Sequence, residues 1–280
     1  MNSNFLDSNP NNENSVLVSI ITVCLNAADK VENTILSVLN QNYPNIEYII
    51  IDGQSTDGTI DIIRKHESQI ATWISELDTN LYQAINKGIG KANGDLIGIL
   101  NAGDIYDKNA VEKMVEAYDP NTPSIYHANM TIIDHNSQEE LFLVRPLCDL
   151  QSLYKSCCIN HPTTFVDKRV YYQYGSFFFD KYSLAADHDF LLRTMKRGVP
   201  FIYLNQNITF MENGGLSEKK IFSIYWQSLK ISTMHGGSFF SLMWGYGFAI
   251  TKKIFRPIVE RFTPQLLRYH RRASARTNIE

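Results

Sequence analysis

The amino-acid sequence predicts an α/β fold, a mostly parallel central sheet with flanking helices. Three observations point there. From Val16 onward, apolar runs of strand length alternate with stretches of helical periodicity. Polar residues gather at the carboxyl ends of those runs rather than inside them. Beyond about residue 120 the rhythm changes to strands that alternate like antiparallel pairs, so the first sheet gains a mixed extension.

The first run, VLVSIITVCL, ends at Asn26, and Val31, Ile35, Val38 and Leu39 then share one helical face. IEYIIID ends at Asp52, followed by GQSTDGT and a short helix near Thr59. ATWIS precedes Glu76, a helix covers roughly Tyr82 to Lys91, and DLIGIL ends before Asn101. Strand-then-helix units in series imply parallel pairing through right-handed crossovers. GIGKANG has the glycines of a phosphate loop, but it sits at a helix end, where Gly88 and Gly94 serve packing and termination. LIGILNAGDIYD reads as a buried strand and a turn, with Asp104 at its end.

In the second half, PSIYHANMTIID and EELFLVRP read as antiparallel strands, and HPTTFVDKRVYYQYGSF joins a strand to a short helix. AADHDFLLRTMKRG reads as an amphipathic helix, and VPFIYL and NITFM as two further strands before ENGGLS. The division expected is a polar lead-in over 1–14, one catalytic-type domain over 15–218, and a helical, amphipathic and basic extension over 219–280.

A chain of 280 residues with 44% hydrophobic and 20% charged residues has an ordinary globular composition, and a net charge of -3 offers no overall attraction to nucleic acid. Cys24, Cys148, Cys157 and Cys158 match neither a disulfide framework nor a metal-binding spacing, which suggests a reducing compartment. The opening fourteen residues lack the pattern of a signal peptide, so a cytoplasmic location is expected.

Asn26, Asp52, Glu76, Asp78 and Asp104 all follow the carboxyl ends of strands, the edge where open α/β sheets bind ligands. Carboxylates crowded there call for a cation or a network of donors. Neither Gly-x-Gly-x-x-Gly nor a P-loop is present, which argues against dinucleotide and nucleoside-triphosphatase readings.

VSIITVCLNA, LSVLNQNYPNIEYIIIDGQSTDGT, ISELD, INKGIGKANGDLIGILNAGD, HPTTFV and AADHDFLLRTMKRG together resemble the family 2 glycosyltransferases of GT-A fold, over residues 16 to 217 in consistent order. The likeness is greatest to members that assemble bacterial surface polysaccharides. It implies inverting transfer of a sugar from a nucleotide-diphosphate donor to an acceptor hydroxyl. By resemblance, Asp104 is the metal carboxylate for Mg²⁺ or Mn²⁺, with Asn101 and Gly103 standing where the family has other acidic residues. Asp52 corresponds to the base-reading aspartate, and capping with Ser55, Asp57 and Thr59 is the alternative; for Asp57, capping is preferred.

Val23, Leu25 and Asn26 match the base-flanking stretch, Asp78 and Lys87 the donor-contacting one, and Gly103 a close approach to ribose or phosphate. Asp187 matches the catalytic base, with helix capping as its alternative, and Asp189 falls in the first turn of the same helix. His161 is an acceptor-side candidate, and GGLS at 214–217 resembles a stretch that closes over donor phosphates. A sugar nucleotidyltransferase and a non-catalytic GT-A-fold binding protein are the rival readings.

Residues 231–251 carry no formal charge if His235 is neutral, and from Lys252 onward eight Lys and Arg face two Glu. An interfacial element on an anionic membrane is expected, with Phe239, Phe240, Met243, Trp244, Tyr246 and Phe248 entering the headgroups. The rival is a helical hairpin packed on protein. Attachment to the inner face of the cell membrane suits a lipid-linked acceptor.

Overall fold

The central strands form where the sequence is continuously apolar. β1 (Val18–Cys24) is buried along its whole length and pairs in parallel with β2 (Ile46–Asp52) and β4 (Leu96–Asn101). The computed structural model describes residues 15–134, 137, 139–146, 149–155, 157–213, 220–240 and 243. β3 (Thr72–Ser75) pairs in parallel with β2, giving the order β3-β2-β1-β4. Strands covered on both faces have no solvent side, so they read as unbroken apolar runs instead of alternating ones.

The crossover helices follow the expected pattern. α1 (Val31–Leu39) buries Val31, Thr34, Ile35 and Val38, and α2 (Thr59–Lys65) buries Thr59 and Ile63. α3 (Leu81–Lys91) starts at Asn80, whose side chain accepts from the Tyr82 and Gln83 N–H groups and so satisfies two donors of the first turn. Gly88 sets how closely α3 lies on the sheet. A Cβ there would stand 2.4 Å from Ile21 Cγ2, so only glycine fits.

The second half adds β5 (Asp104–Tyr106), α4 (Ala110–Ala117), β6 (Ile125–Ile133), β7 (Glu140–Val144), β8 (Phe165–Asp167), α5 (Lys168–Tyr174), α6 (Ala186–Lys196), β9 (Phe201–Glu212) and α7 (Ile221–Met234). Among the described residues the nine strands make one sheet ordered β3-β2-β1-β4-β8-β6-β9-β5, with β7 also on β6. This corrects the expectation of a mostly parallel sheet. β4–β8, β6–β8, β6–β7 and β5–β9 are antiparallel, whereas β6–β9 is parallel. VPFIYL and NITFM are also one strand, β9, carried through the polar residues between them by register shifts opposite Asn129.

Asp104 does not end a turn; it begins β5. Only Ala102 and Gly103 separate β4 from β5, yet β5 pairs with β9 at the far end of the order. The sheet therefore curls, bringing its last edge back to the carboxyl end of β4.

Two apolar clusters fill the faces of the sheet. One joins Ile21, Ile49 and Ile99 to α3 and α6, and the other joins Ile20, Ile50 and Leu100 to α1 and α4. α7 lies on the body instead of standing apart, because Leu229, Ile231 and Ser232 are buried, His235 Nε2 is 3.0 Å from Asp189 Oδ1, and Lys196 Nζ donates to the His235 carbonyl at 2.9 Å. The expected boundary at 219 thus falls before a helix docked on α6. No helix among the described residues is long and apolar enough to cross a membrane. Phe239, Phe240 and Met243 are exposed. Residues 1–14, GGLS at 214–217, Cys148, Trp244, Tyr246, Phe248 and the basic tail lie outside the described residues.

Candidate active site

Gly103 has φ +102°, a backbone conformation that glycine adopts without steric cost. Its N–H donates to Thr34 Oγ1 at 2.9 Å, and the same hydroxyl donates to the Asp104 carbonyl at 2.9 Å, so α1 pins the turn from β4 into β5. The stem of Lys30 lies against the hydrogen face of Gly103: a Cβ there would be 2.9 Å from Lys30 Cδ. The turn delivers Asp104 into a buried position, where loss of hydration raises its carboxyl pKa from 3.8 to about 7. The Asn101 side chain opposes that rise, the Glu212 carboxylate adds to it, and the Lys30 ammonium offsets part of it.

These residues fit a hard divalent cation. The Asp104 carboxylate supplies a hard oxygen ligand, the kind such an ion takes. Asn101 Oδ1 is also buried without a partner. No group of three His, Cys, Asp or Glu side chains gathers among the described residues, so phosphate and water oxygens would complete the shell.

Asp52 is fully buried at the end of β2. Its Oδ2 accepts from the Ser55 N–H at 2.9 Å and Ser75 Oγ at 2.6 Å, and its Oδ1 from Ser55 Oγ and, at 3.5 Å, Cys24 Sγ. The expected contact with a nucleobase would require one of these serines to exchange for it; the network drawn here is the alternative, internal one. Asp57 does cap, accepting from the Thr59 N–H at 3.1 Å, Thr59 Oγ1 at 2.6 Å and the Ala28 N–H at 3.1 Å.

Asn26, at φ 48°, ties the β1 loop to the β2 loop: its N–H donates to Ser55 Oγ at 2.8 Å, and its Oδ1 accepts from the Thr56 N–H at 3.0 Å. Val23 is 3% exposed and packs in the core, whereas Leu25 is 61% exposed. Val23 faces inward because strand residues alternate faces and position 23 points at the α3 side of the sheet.

Beyond β3, Lys87 Nζ lies 2.7 Å from Asp78 Oδ1 and 2.8 Å from Glu76 Oε1. Those bonds raise the Lys87 pKa against the opposing effect of burial. The crowded carboxylates of the edge are thus answered by donors in three ways: serines at Asp52, a lysine at Glu76 and Asp78, and Asn101 with Lys30 at Asp104.

Asp187 opens α6, and no side chain caps that helix. Asp187 Oδ1 accepts from the Tyr82 hydroxyl at 2.8 Å and from the His188 N–H at 2.9 Å, while Cys157 Sγ is 3.9 Å from Oδ2. Asp187 lines a pocket with Ile99, His161, Thr164, Tyr171 and Phe177. The structure therefore brings together Asp187 and His161, two residues singled out from the sequence. Burial lowers the His161 pKa, with Asp187 opposing, so the imidazole is neutral near pH 7. Asp189 turns the other way, buried against Arg193 Nε at 3.4 Å and His235 Nε2 at 3.0 Å, as a structural group.

Lys30, Tyr82, Cys157 and Glu212 enter the site without having been anticipated from the sequence. Only Tyr82 had an available signal, since it begins the helix that carries Lys87.

A curled mixed sheet with buried carboxylates along one edge and Asp187 at the head of a facing helix has the architecture of the GT-A fold. Residues 19–185 match the family described as Glycosyl transferase family 2, and the chain belongs to that family. The match ends two residues before Asp187. A putative teichuronic acid biosynthesis glycosyltransferase, TuaG of Bacillus subtilis, is 39% identical over 103 residues, 36% of this chain and 41% of that one, so the match spans about two fifths of that relative.

The Escherichia coli UDP-Glc:alpha-D-GlcNAc-diphosphoundecaprenol beta-1,3-glucosyltransferase WfgD is 30% identical over 153 residues, 54% of this chain and 60% of that one. Among solved structures, the Pyrobaculum calidifontis mannosyltransferase in complex with GDP-Man and Mn²⁺ superposes with a TM-score of 0.60 at 16% identity, covering 84% of this chain and 70% of that one. S. aureus TarS in complex with UDP gives 0.59 at 15%, covering 77% and 65%. At these identities the superpositions speak for the fold alone.

Proposed function

We propose that this chain is an inverting, metal-dependent glycosyltransferase that moves a sugar from a nucleotide-diphosphate donor to an acceptor hydroxyl in the assembly of a bacterial polysaccharide or lipid-linked glycan. The observation that carries the reading is Asp187, a carboxylate at the head of α6 that borders a pocket, with one oxygen held by protein donors and the other, among the described residues, facing only a thiol. A base with no second carboxylate opposed to it among the described residues suits direct displacement: Asp187 takes the acceptor proton as the acceptor oxygen attacks the anomeric carbon.

Asp104, with Glu212 beside it and water and phosphate oxygens completing the shell, would hold Mg²⁺ or Mn²⁺, which when bound stabilises the charge on the departing diphosphate. Lys30 and Lys87 supply fixed positive charge on the donor edge. Asn26, Leu25 and Asp52 border the region assigned to the nucleoside, with Asp52 acting through Ser55 and Ser75. Neutral His161 lies on the acceptor side. The names of the relatives support a nucleotide-sugar donor, a lipid-linked acceptor and surface-polysaccharide synthesis. Attachment to the inner membrane face would come through residues 231–280, with the exposed Phe222 and Trp226 of α7 beside them.

The test incubates the protein with UDP-glucose, UDP-N-acetylglucosamine or GDP-mannose, Mn²⁺ and N-acetylglucosaminyl-diphosphoundecaprenol, and follows nucleoside diphosphate. Asp187→Asn is expected to bind donor as the parent does and to lose transfer by at least about a thousandfold, since it removes the base outright. Turnover that survives the substitution refutes the assignment. Release of pyrophosphate, and not of nucleoside diphosphate, from a nucleoside triphosphate and a sugar 1-phosphate would favour a nucleotidyltransferase, and no release of either product a scaffold.

A further inference from the structure

The base reading leaves open which oxygen of Asp187 receives the proton, and the packing around α3 answers it. Tyr82 is 5% exposed, its ring lies 5.4 Å from that of Phe177, and its hydroxyl donates to Asp187 Oδ1 at 2.8 Å. The His188 N–H reaches the same oxygen at 2.9 Å. Among the described residues, Oδ2 has only the Cys157 thiol at 3.9 Å, a weak donor at long range.

Tyr82 is itself held in place. Asn80 Nδ2 donates to the Phe179 carbonyl at 3.1 Å, and Asn86 bonds the Phe177 backbone twice, donating to its carbonyl at 2.8 Å and accepting from its N–H at 3.1 Å. α3 is thereby stitched to the segment that leads into α6, while its Lys87 grips Glu76 and Asp78 on the donor edge.

We propose that Tyr82 is a positioning residue for sugar transfer: its hydroxyl fixes the plane of the Asp187 carboxylate on Oδ1 and leaves Oδ2 to take the acceptor proton. This rests on Asp187 being the base. In the step, the acceptor O–H bond breaks and its proton passes to Oδ2, the acceptor oxygen bonds the anomeric carbon, and the nucleoside diphosphate departs with the electron pair of the broken C–O bond. Because α3 also carries Lys87, one rigid helix sets the spacing between donor edge and base. Burial and the neighbouring Asp187 hold the Tyr82 hydroxyl protonated throughout the working pH range, so it is always a donor.

The experiment compares Tyr82→Phe, Asp187→Asn and the double variant, using the three nucleotide sugars and the lipid acceptor named above. Phenylalanine keeps the ring and its packing. Tyr82→Phe is expected to lower kcat about 10- to 100-fold with KM for donor and acceptor changed less than about twofold. The double variant is expected to be no slower than Asp187→Asn alone, because Tyr82 acts through Asp187.

Full kcat in Tyr82→Phe with an inactive Asp187→Asn overturns the Tyr82 proposal and leaves the base standing. A further loss in the double variant overturns it too. An active Asp187→Asn overturns both. Should Tyr82→Phe not fold, 3-fluorotyrosine at position 82 keeps the fold and donates more strongly; kcat should then change with KM for donor and acceptor held within about twofold, and a kcat equal to the parent's rejects the proposal.

Discussion

Asparagine at position 104 isolates what the buried carboxylate costs the metal-free protein. In the folded chain the Asp104 pKa lies near 7, against an ordinary value of 3.8, because burial removes the water that would solvate the anion. Between those values the folded protein keeps a proton that the unfolded chain has released, so stability falls as pH rises through the window. Below pH 3.8 there is no penalty, and above about 7 it is complete. The gap spans about three pH units at about 1.4 kcal/mol each, so the full penalty is on the order of 4 kcal/mol.

Asp104→Asn has nearly the same shape and no charge to desolvate. In EDTA, urea denaturation of both proteins from pH 4.5 to 8.5 should show the variant gaining on the parent by about 1.4 kcal/mol per pH unit up to neutrality, then levelling. Adding Mn²⁺ should then stabilise the parent alone, since only it keeps the anionic ligand. A stability difference that stays flat across the pH range, or equal stabilisation of both by Mn²⁺, refutes the reasoning.

Two further outcomes follow from packing and charge. Gly88→Ala puts a methyl group 2.4 Å from Ile21 Cγ2; overpacking of about 1–3 kcal/mol outweighs the roughly 1 kcal/mol gained in helix propensity, so urea melts should show a net loss, and a more stable variant would mean that α3 can shift freely. Co-sedimentation with anionic vesicles should capture the full chain but at least about tenfold less of a chain ending at residue 240, which keeps α7 and loses the basic tail, where each Lys or Arg near the surface is worth about 1 kcal/mol. Equal capture removes the membrane reading.

The first four strands and three helices were legible because each is long, strongly periodic and bounded by Asn, Asp or Gly. β5 was not. Asp104–Tyr106 carries no strand pattern of its own and is held extended by pairing with Thr209–Met211. β9 looked like two strands because Asn205, Gln206 and Asn207 interrupt its apolar pattern, and register shifts let the chain absorb them.

In the site, Asp104 drew notice from its place after a strand, whereas Lys87 and Asp187 were singled out by resemblance to the family. The state of Asp52 was not, since Ser55 belongs to its own loop but Ser75 arrives from β3. The Tyr82–Asp187 bond joins residues 105 positions apart, a separation that no local pattern encodes.

The return of β5 onto β9 also fixes when Asp104 can take its buried place. As the chain leaves the ribosome, β1 to β4 and their helices can pack as soon as residue 101 is free, because every contact among them is already made. Asp104 must wait until Glu212 and its strand emerge, for only then is there an edge on which β5 can lie. A nascent or prematurely terminated chain therefore lacks the edge that buries Asp104, and this corner of the proposed site is completed late in synthesis.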